Sequence, residues 1–390
     1  MMCFVTLFEA PPAAPRPPRD GRRSGARRTG VLAIVVAVIG VALFAGTLIQ
    51  AALSGEDGWR PPAPGLLAPD GGLPRHGEPS AAAVELADRM PLTAEGRELF
   101  LSTAPEIVDG DGIRTRCDSA HRAAAEGSFQ VLGCYRSDHR IAVFQAADPR
   151  LHDTTVITAA HELLHAVYAG LDDAERDLVD RLITEEAARL PADDPIHAQI
   201  DASVGDHAGS LANERFAYLG TQVHGAGGFA AELEGVYGRY ISDRAALVET
   251  HRRAESVIPQ ANEALRARWD EVSALEQANA QEEAQLSADR GAHEAALASY
   301  NADADEFNAT PPELRAQYAS IVTYPDGRTE RMSWEAALAA RYAELEAFRA
   351  DIEARGAALE AEKARAAQLR ADAEAAQADL EALIDAATPD

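Results

Sequence analysis

Lysine is almost missing from this 390-residue chain: Lys363 is the only one, and arginine supplies every other basic side chain. Aromatic residues make up only 6% although hydrophobic residues reach 47%. With alanine prominent among the latter, this favours long helices over one large core. Net positive charge is lacking as well, the formal charge being −27. The six arginines within residues 1–30 face only Glu9 and Asp20, so the rest of the chain is more negative still. A body that acidic repels phosphate and excludes nucleic acid as a partner. Neither a glycine-rich phosphate loop nor a G-x-S-x-G elbow occurs.

One uncharged run stands out. Val31 to Leu53 has no charged residue, and its only polar side chains are Thr47 and the amide of Gln50. About 20 such residues span a bilayer as a helix, and an apolar signal-peptide region is shorter, about 7–15 residues. With the arginines just before it, the segment reads as an uncleaved anchor, N-terminus cytoplasmic and everything after it extracytoplasmic. Cysteine usage agrees. Cys117 and Cys134 are the only cysteines beyond the anchor, where a disulfide persists, and no C-x-x-C accompanies either.

The organisation that follows is a cytoplasmic Arg/Pro-rich tail (1–30), the anchor (31–53), a Pro/Gly-rich linker (54–80), a compact α+β domain (81–245) and a helical arm (246–386). Helix formers return at Ala81 and break at Met90–Pro91. Ser128 to Ala146 alternates around a polar turn and reads as a β-hairpin. Thr154 to Ala169, Asp173 to Leu190 and Ala208 to Val223 read as helices. From Ile258 to Phe307 a large or apolar side chain recurs every seventh residue, broken by Asn279 and His293. From Leu338 to Leu380 leucine, isoleucine or alanine does the same. Such spacing makes a coiled coil, and the turn-rich stretch at about 309–333 makes an antiparallel hairpin its simplest form.

The chemistry lies in His161-Glu162-Leu163-Leu164-His165. Residues four apart share a helix face, so both imidazoles can meet one metal ion, zinc by its preference for such donors. Glu162 is one position round, within reach of a water that zinc activates.

Thr158-Ala159-Ala160 before the motif and Ala166-Val167-Tyr168 after it complete a close resemblance to the zincin metallopeptidases. In that layout the strand Ile141–Phe144 would be the edge strand that pairs with extended substrate. The metzincin pattern fails, since Tyr168 and Leu171 stand where it needs glycine and histidine. The gluzincin pattern takes a glutamate from a later helix. Glu214, within Asn213-Glu214-Arg215-Phe216-Ala217-Tyr218, has the better local form. Glu186 competes from an apolar helix face, where Arg189 offers it a salt bridge. Residues 92–243 also resemble a group of uncharacterised bacterial membrane-anchored proteins with a zinc-protease domain and a coiled-coil tail. The stretches that carry this are Glu95–Phe100, Leu132–Tyr135, Ala160–Ala166 and Tyr218–Gln222.

These readings converge on a membrane-anchored, gluzincin-like zinc peptidase of peptide or protein substrates. His161, His165 and Glu214 would ligate Zn2+, Glu162 would act as general base, and Tyr218 could steady the oxyanion. The coiled coil offers a surface for a protein partner or self-association. The rival is a cell-envelope scaffold in which the coiled coil is the function and the metal is vestigial or structural.

Overall fold

The computed structural model describes residues 2–6, 76–117, 130–204, 208–224, 227–323 and 328–389. They fall into two compact units, one within 1–257 plus 383–390, the other within 258–382. The expected membrane span 31–53 lies outside the described residues. Among those described, no helix is long and apolar enough to cross a membrane.

The first unit opens with two short helices, α1 (Ala81–Arg89) and α2 (Ala94–Ser102). Ser80 and Thr93 cap them by accepting the free N–H of Ala83 and Gly96, as N-cap side chains do. Strand β2 (Glu106–Val108) and helix α3 (Gly110–Arg116) follow. The expected hairpin is present as β3 (Gln130–Tyr135) and β4 (Ile141–Phe144). Its turn is closed by Arg136 N–H donating to Arg140 O at 2.9 Å, with His139 in the left-handed region.

The four-stranded sheet has the order β1-β3-β4-β2, β1 being Met2–Thr6. Strands β1 and β4 each run antiparallel to β3, and β2 runs parallel to β4. Two expectations change here. Five residues of the stretch read as a tail form a strand of the domain's own sheet. The strand Ile141–Phe144, expected at an edge, is interior, because Glu106–Val108 pairs with its far side.

Beneath β3 and β4 runs α4 (His152–Gly170), buried from Thr155 to Tyr168. A helix buried on all sides is a core helix, and the polar side chains this one carries inside it, His161, Glu162 and His165 among them, are buried with it. It is entered through a single turn at Pro149–Leu151, and Asp172 caps the next helix, α5 (Asp173–Ala187). The helices α6 (Pro195–Val204), α7 (Leu211–Gln222) and α8 (Ala231–Gly238) complete the unit. Helix α7 packs against α4, α5 and α6. The architecture is α+β, helices dominating a small sheet.

In the second unit, α9 (Arg244–Ala309, whose first turns belong to the first unit) pairs with α11 (Trp334–Ala387). Contacts run in opposite senses along the two. Arg370 bonds Glu276, Arg355 bonds Glu282 and Asp289, and Tyr342 meets Tyr300. The hairpin is therefore antiparallel, with Leu286, Ile352 and Leu359 as a buried heptad cluster. Between the helices lie the single turn α10 (Pro312–Arg315) and a two-stranded hairpin, β5 (Ala319–Thr323) with β6 (Thr329–Ser333).

The disulfide joins Cys117, at the end of α3, to Cys134 in β3, with Cα atoms 5.9 Å apart and a sequence separation of 17. Closing a loop of that size should stabilise the fold by roughly 3 kcal/mol. The Cys117→Ser variant should therefore show an earlier urea midpoint, with an m-value somewhat raised because the unfolded chain is no longer cross-linked. Iodoacetamide should label neither thiol in unreduced wild type.

Candidate metal centre

Helix α4 carries His161 and His165 one turn apart, their ring centroids separated by 4.7 Å with the planes nearly perpendicular. Glu214 enters from α7. Its Oε2 lies 3.6 Å from His161 Nε2 and its Oε1 3.7 Å from His165 Nε2, longer than hydrogen bonds. One donor atom from each of the three residues lies within 4.8 Å of the other two. Bonds of about 2.0–2.1 Å to a tetrahedral zinc would put ligand atoms about 3.3 Å apart. The side chains thus need only a small inward shift.

The close approach of α7 to α4 depends on small residues. A Cβ on Gly220 would fall 2.4 Å from Leu164 Cδ1 and 2.6 Å from Tyr237 Cε1, so only glycine fits. Ala217, also on α7, is small and fully buried as well.

Second partners orient the ligands. His165 Nδ1 lies 3.0 Å from Asn213 Oδ1. A carbonyl oxygen only accepts, so Nδ1 carries the proton and the Nε2 lone pair faces Glu214. The ring of Tyr218 stands edge-on to that of His161 at 4.6 Å, and its hydroxyl is 2.6 Å from Ser203 Oγ on α6. Burial pushes the His165 imidazole down to about 4. Burial and then the neighbouring His165 hold His161 well below the usual imidazole range. Both rings are therefore neutral at pH 7, the state that binds a cation. Two imidazoles and a carboxylate form a donor set suited to zinc.

Glu162 is fully buried and lies against β3. A Cβ on Gly133 would come within 2.9 Å of Glu162 Oε1 and 2.6 Å of Thr158 Cγ2. The strand beside the carboxylate is thus β3, and it can lie there because residue 133 has no side chain.

No family model, curated protein or solved structure matches this chain. The site therefore rests on its own geometry. That geometry brings together His161, Glu162, His165, Glu214 and Tyr218, all named from sequence. Glu186, the competing ligand, goes elsewhere: its Oε1 accepts from Arg189 at 2.6 Å and from the Ala230 N–H at 3.0 Å. Of the histidines near α7, His207 lies outside the described residues, and His224 does not join the cluster. Sequence reasoning gave no role to Gly133, Gly220 or Ser203, and treated Asn213 only as a flank. The signal for Asn213 was its place directly before the ligand glutamate.

Metal content of purified variants, measured by mass spectrometry, checks this assignment. His161→Ala, His165→Ala and Glu214→Ala should lose bound zinc, whereas Glu186→Ala should keep it. Asn213→Ala should retain zinc with an affinity weakened by about 10–100-fold, as for other orienting partners of a ligand histidine.

Proposed function

We propose that the first unit is a zinc-dependent peptidase that hydrolyses peptide bonds. The observation that carries this reading is the buried His161, His165 and Glu214 group with Glu162 on the same helix. A structural metal would need no carboxylate beside its ligands, whereas hydrolysis needs a base there. His161, His165 and Glu214 would hold the ion. When bound, it would polarise the scissile carbonyl and make water acidic enough to ionise near neutral pH.

The protein's own groups do the rest. Glu162 takes the proton of the attacking water on its carboxylate and returns it to the leaving nitrogen as the C–N bond breaks. Asn213 fixes the tautomer of His165. The Tyr218 ring holds His161 in place, and the contact between its hydroxyl and Ser203 fixes the orientation of that ring. Full burial strengthens every charge interaction in the site.

The Cys117–Cys134 bond supports an oxidising compartment. The apolar run from Val31 to Leu53 behind its arginines would anchor the chain with residues 1–30 on the cytoplasmic side, a topology that excludes the pairing of Met2–Thr6 with β3. The ordered heptads of α9 and α11 provide a long arm for a partner protein or a second copy.

Full-length protein in detergent, incubated with a peptide library, tests the reading. Glu162→Gln should keep zinc yet lose hydrolysis by at least about 10²-fold, because an amide cannot accept the proton. Tyr218→Phe should keep zinc and most of the activity, and Tyr218→Ala should lose metal affinity. Equal hydrolysis by wild type and Glu162→Gln would overturn the peptidase assignment and leave the scaffold reading.

A further inference from the structure

His161, Glu162, His165 and Glu214 are each 0% exposed. A peptide cannot reach them in this state, so an element of the unit has to move before a peptidase of this design can work. Strand β1 is placed to be that element. It lies on the outer edge of β3, the strand whose Gly133 rests against Glu162, and its Phe4 stands opposite Gly133 in the ladder. It also packs against α4, which carries the motif, and α6, whose Ser203 holds Tyr218. An extended peptide is recognised by adding a strand to a sheet edge. Met2–Thr6 already fills that position, antiparallel to β3 and with no charged residue.

We propose that Met2–Thr6 is a self-blocking strand, which occupies the edge of β3 that a substrate peptide must use and has to leave before the site can open. The consequence for catalysis rests on the peptidase reading above; the occupancy does not. The ladder is suited to release. Only five residues pair, and the register shifts between Phe4 and Val5, so Leu132 has no partner across it. A bulge of this kind interrupts pairing and weakens a strand already at the sheet edge. Being part of the same chain, the strand competes with free peptides at a high effective concentration. A membrane anchor would act on this equilibrium directly. If residues 31–53 crossed a bilayer with the N-terminus on the far side, β1 could no longer reach β3, and the edge would be open.

Two measurements on the full-length protein in detergent test the proposal. The first reads occupancy without activity. In Cys117→Ser the freed Cys134 stands opposite Cys3 across the ladder, so mild oxidation should yield a Cys3–Cys134 disulfide, seen by peptide mass mapping. Its absence from folded protein with full zinc content would overturn the proposal. The second reads blocking, and needs no change to the disulfide. Deleting residues 2–6, or replacing Phe4 and Val5 by proline, should raise casein hydrolysis by about tenfold if the strand is in place nine-tenths of the time. Zinc content should stay unchanged. A synthetic Met-Cys-Phe-Val-Thr peptide should then slow the deletion variant. Hydrolysis equal to wild type in both variants would overturn the blocking role. No hydrolysis by any zinc-loaded form, with the cross-link formed, would instead count against the peptidase reading and leave the strand where it is placed.

Discussion

Everything in the first unit is arranged around the cost of burying charge. An ionised carboxylate taken fully out of water costs several kcal/mol even after relaxation, and Glu162 and Glu214 are both at zero exposure within one cluster. Burial holds the two imidazoles of that cluster neutral, the state in which they can ligate a cation. A divalent cation between His161, His165 and Glu214 would offset this cost. The small residues of α7, the glycine of β3 over Glu162 and the Asn213 contact then follow as the conditions that let four polar side chains share so little space.

Local features were legible in the sequence because they depend on local periods. His161 and His165 share a face through the helical repeat, and the alternation on either side of the Arg136–Arg140 turn marked β3 and β4. The arm was readable from its heptads. The cysteine pair was readable because only two cysteines follow the apolar run. Glu214 stood out over Glu186 by its neighbours, and Arg189 already offered Glu186 an alternative partner. What sequence did not yield was long-range order. Nothing local to Glu106–Val108 says that it pairs with Val143 and its neighbours, and that pairing makes β4 an interior strand. Nothing local to Met2–Thr6 sends it to β3, more than a hundred residues away. The need for glycine at 133 and 220 is also non-local, since the atoms a Cβ would meet belong to other elements.

The arm follows different rules. Its individual surface ion pairs are worth little, but their placement fixes alignment. Arg355 reaches both Glu282 and Asp289, which are one heptad apart on the facing helix. Asn279 sits in the heptad series and is buried. A polar residue at such a position selects one register at some cost in stability. Leu286, Ile352 and Leu359, with Phe348 beside them, supply the apolar contact that makes that register worth holding.

The first unit is also discontinuous in sequence, and this has a consequence during synthesis. Its closing piece is residues 383–389. Ala387 lies with Leu132, Phe144 and Leu151 around one small cavity, and Arg114 donates to the Pro389 carbonyl at 2.6 Å. The sheet, both cysteines and all the metal ligands precede residue 258, whereas the closing piece emerges only after the whole of 258–382 has been made. At about 5–20 residues per second, that interval lasts roughly 6–25 s. Throughout it the apolar surface of Leu132, Phe144 and Leu151 that faces Ala387 is without that residue. The first unit is therefore completed by the last residues of the chain, after the intervening helices have been made.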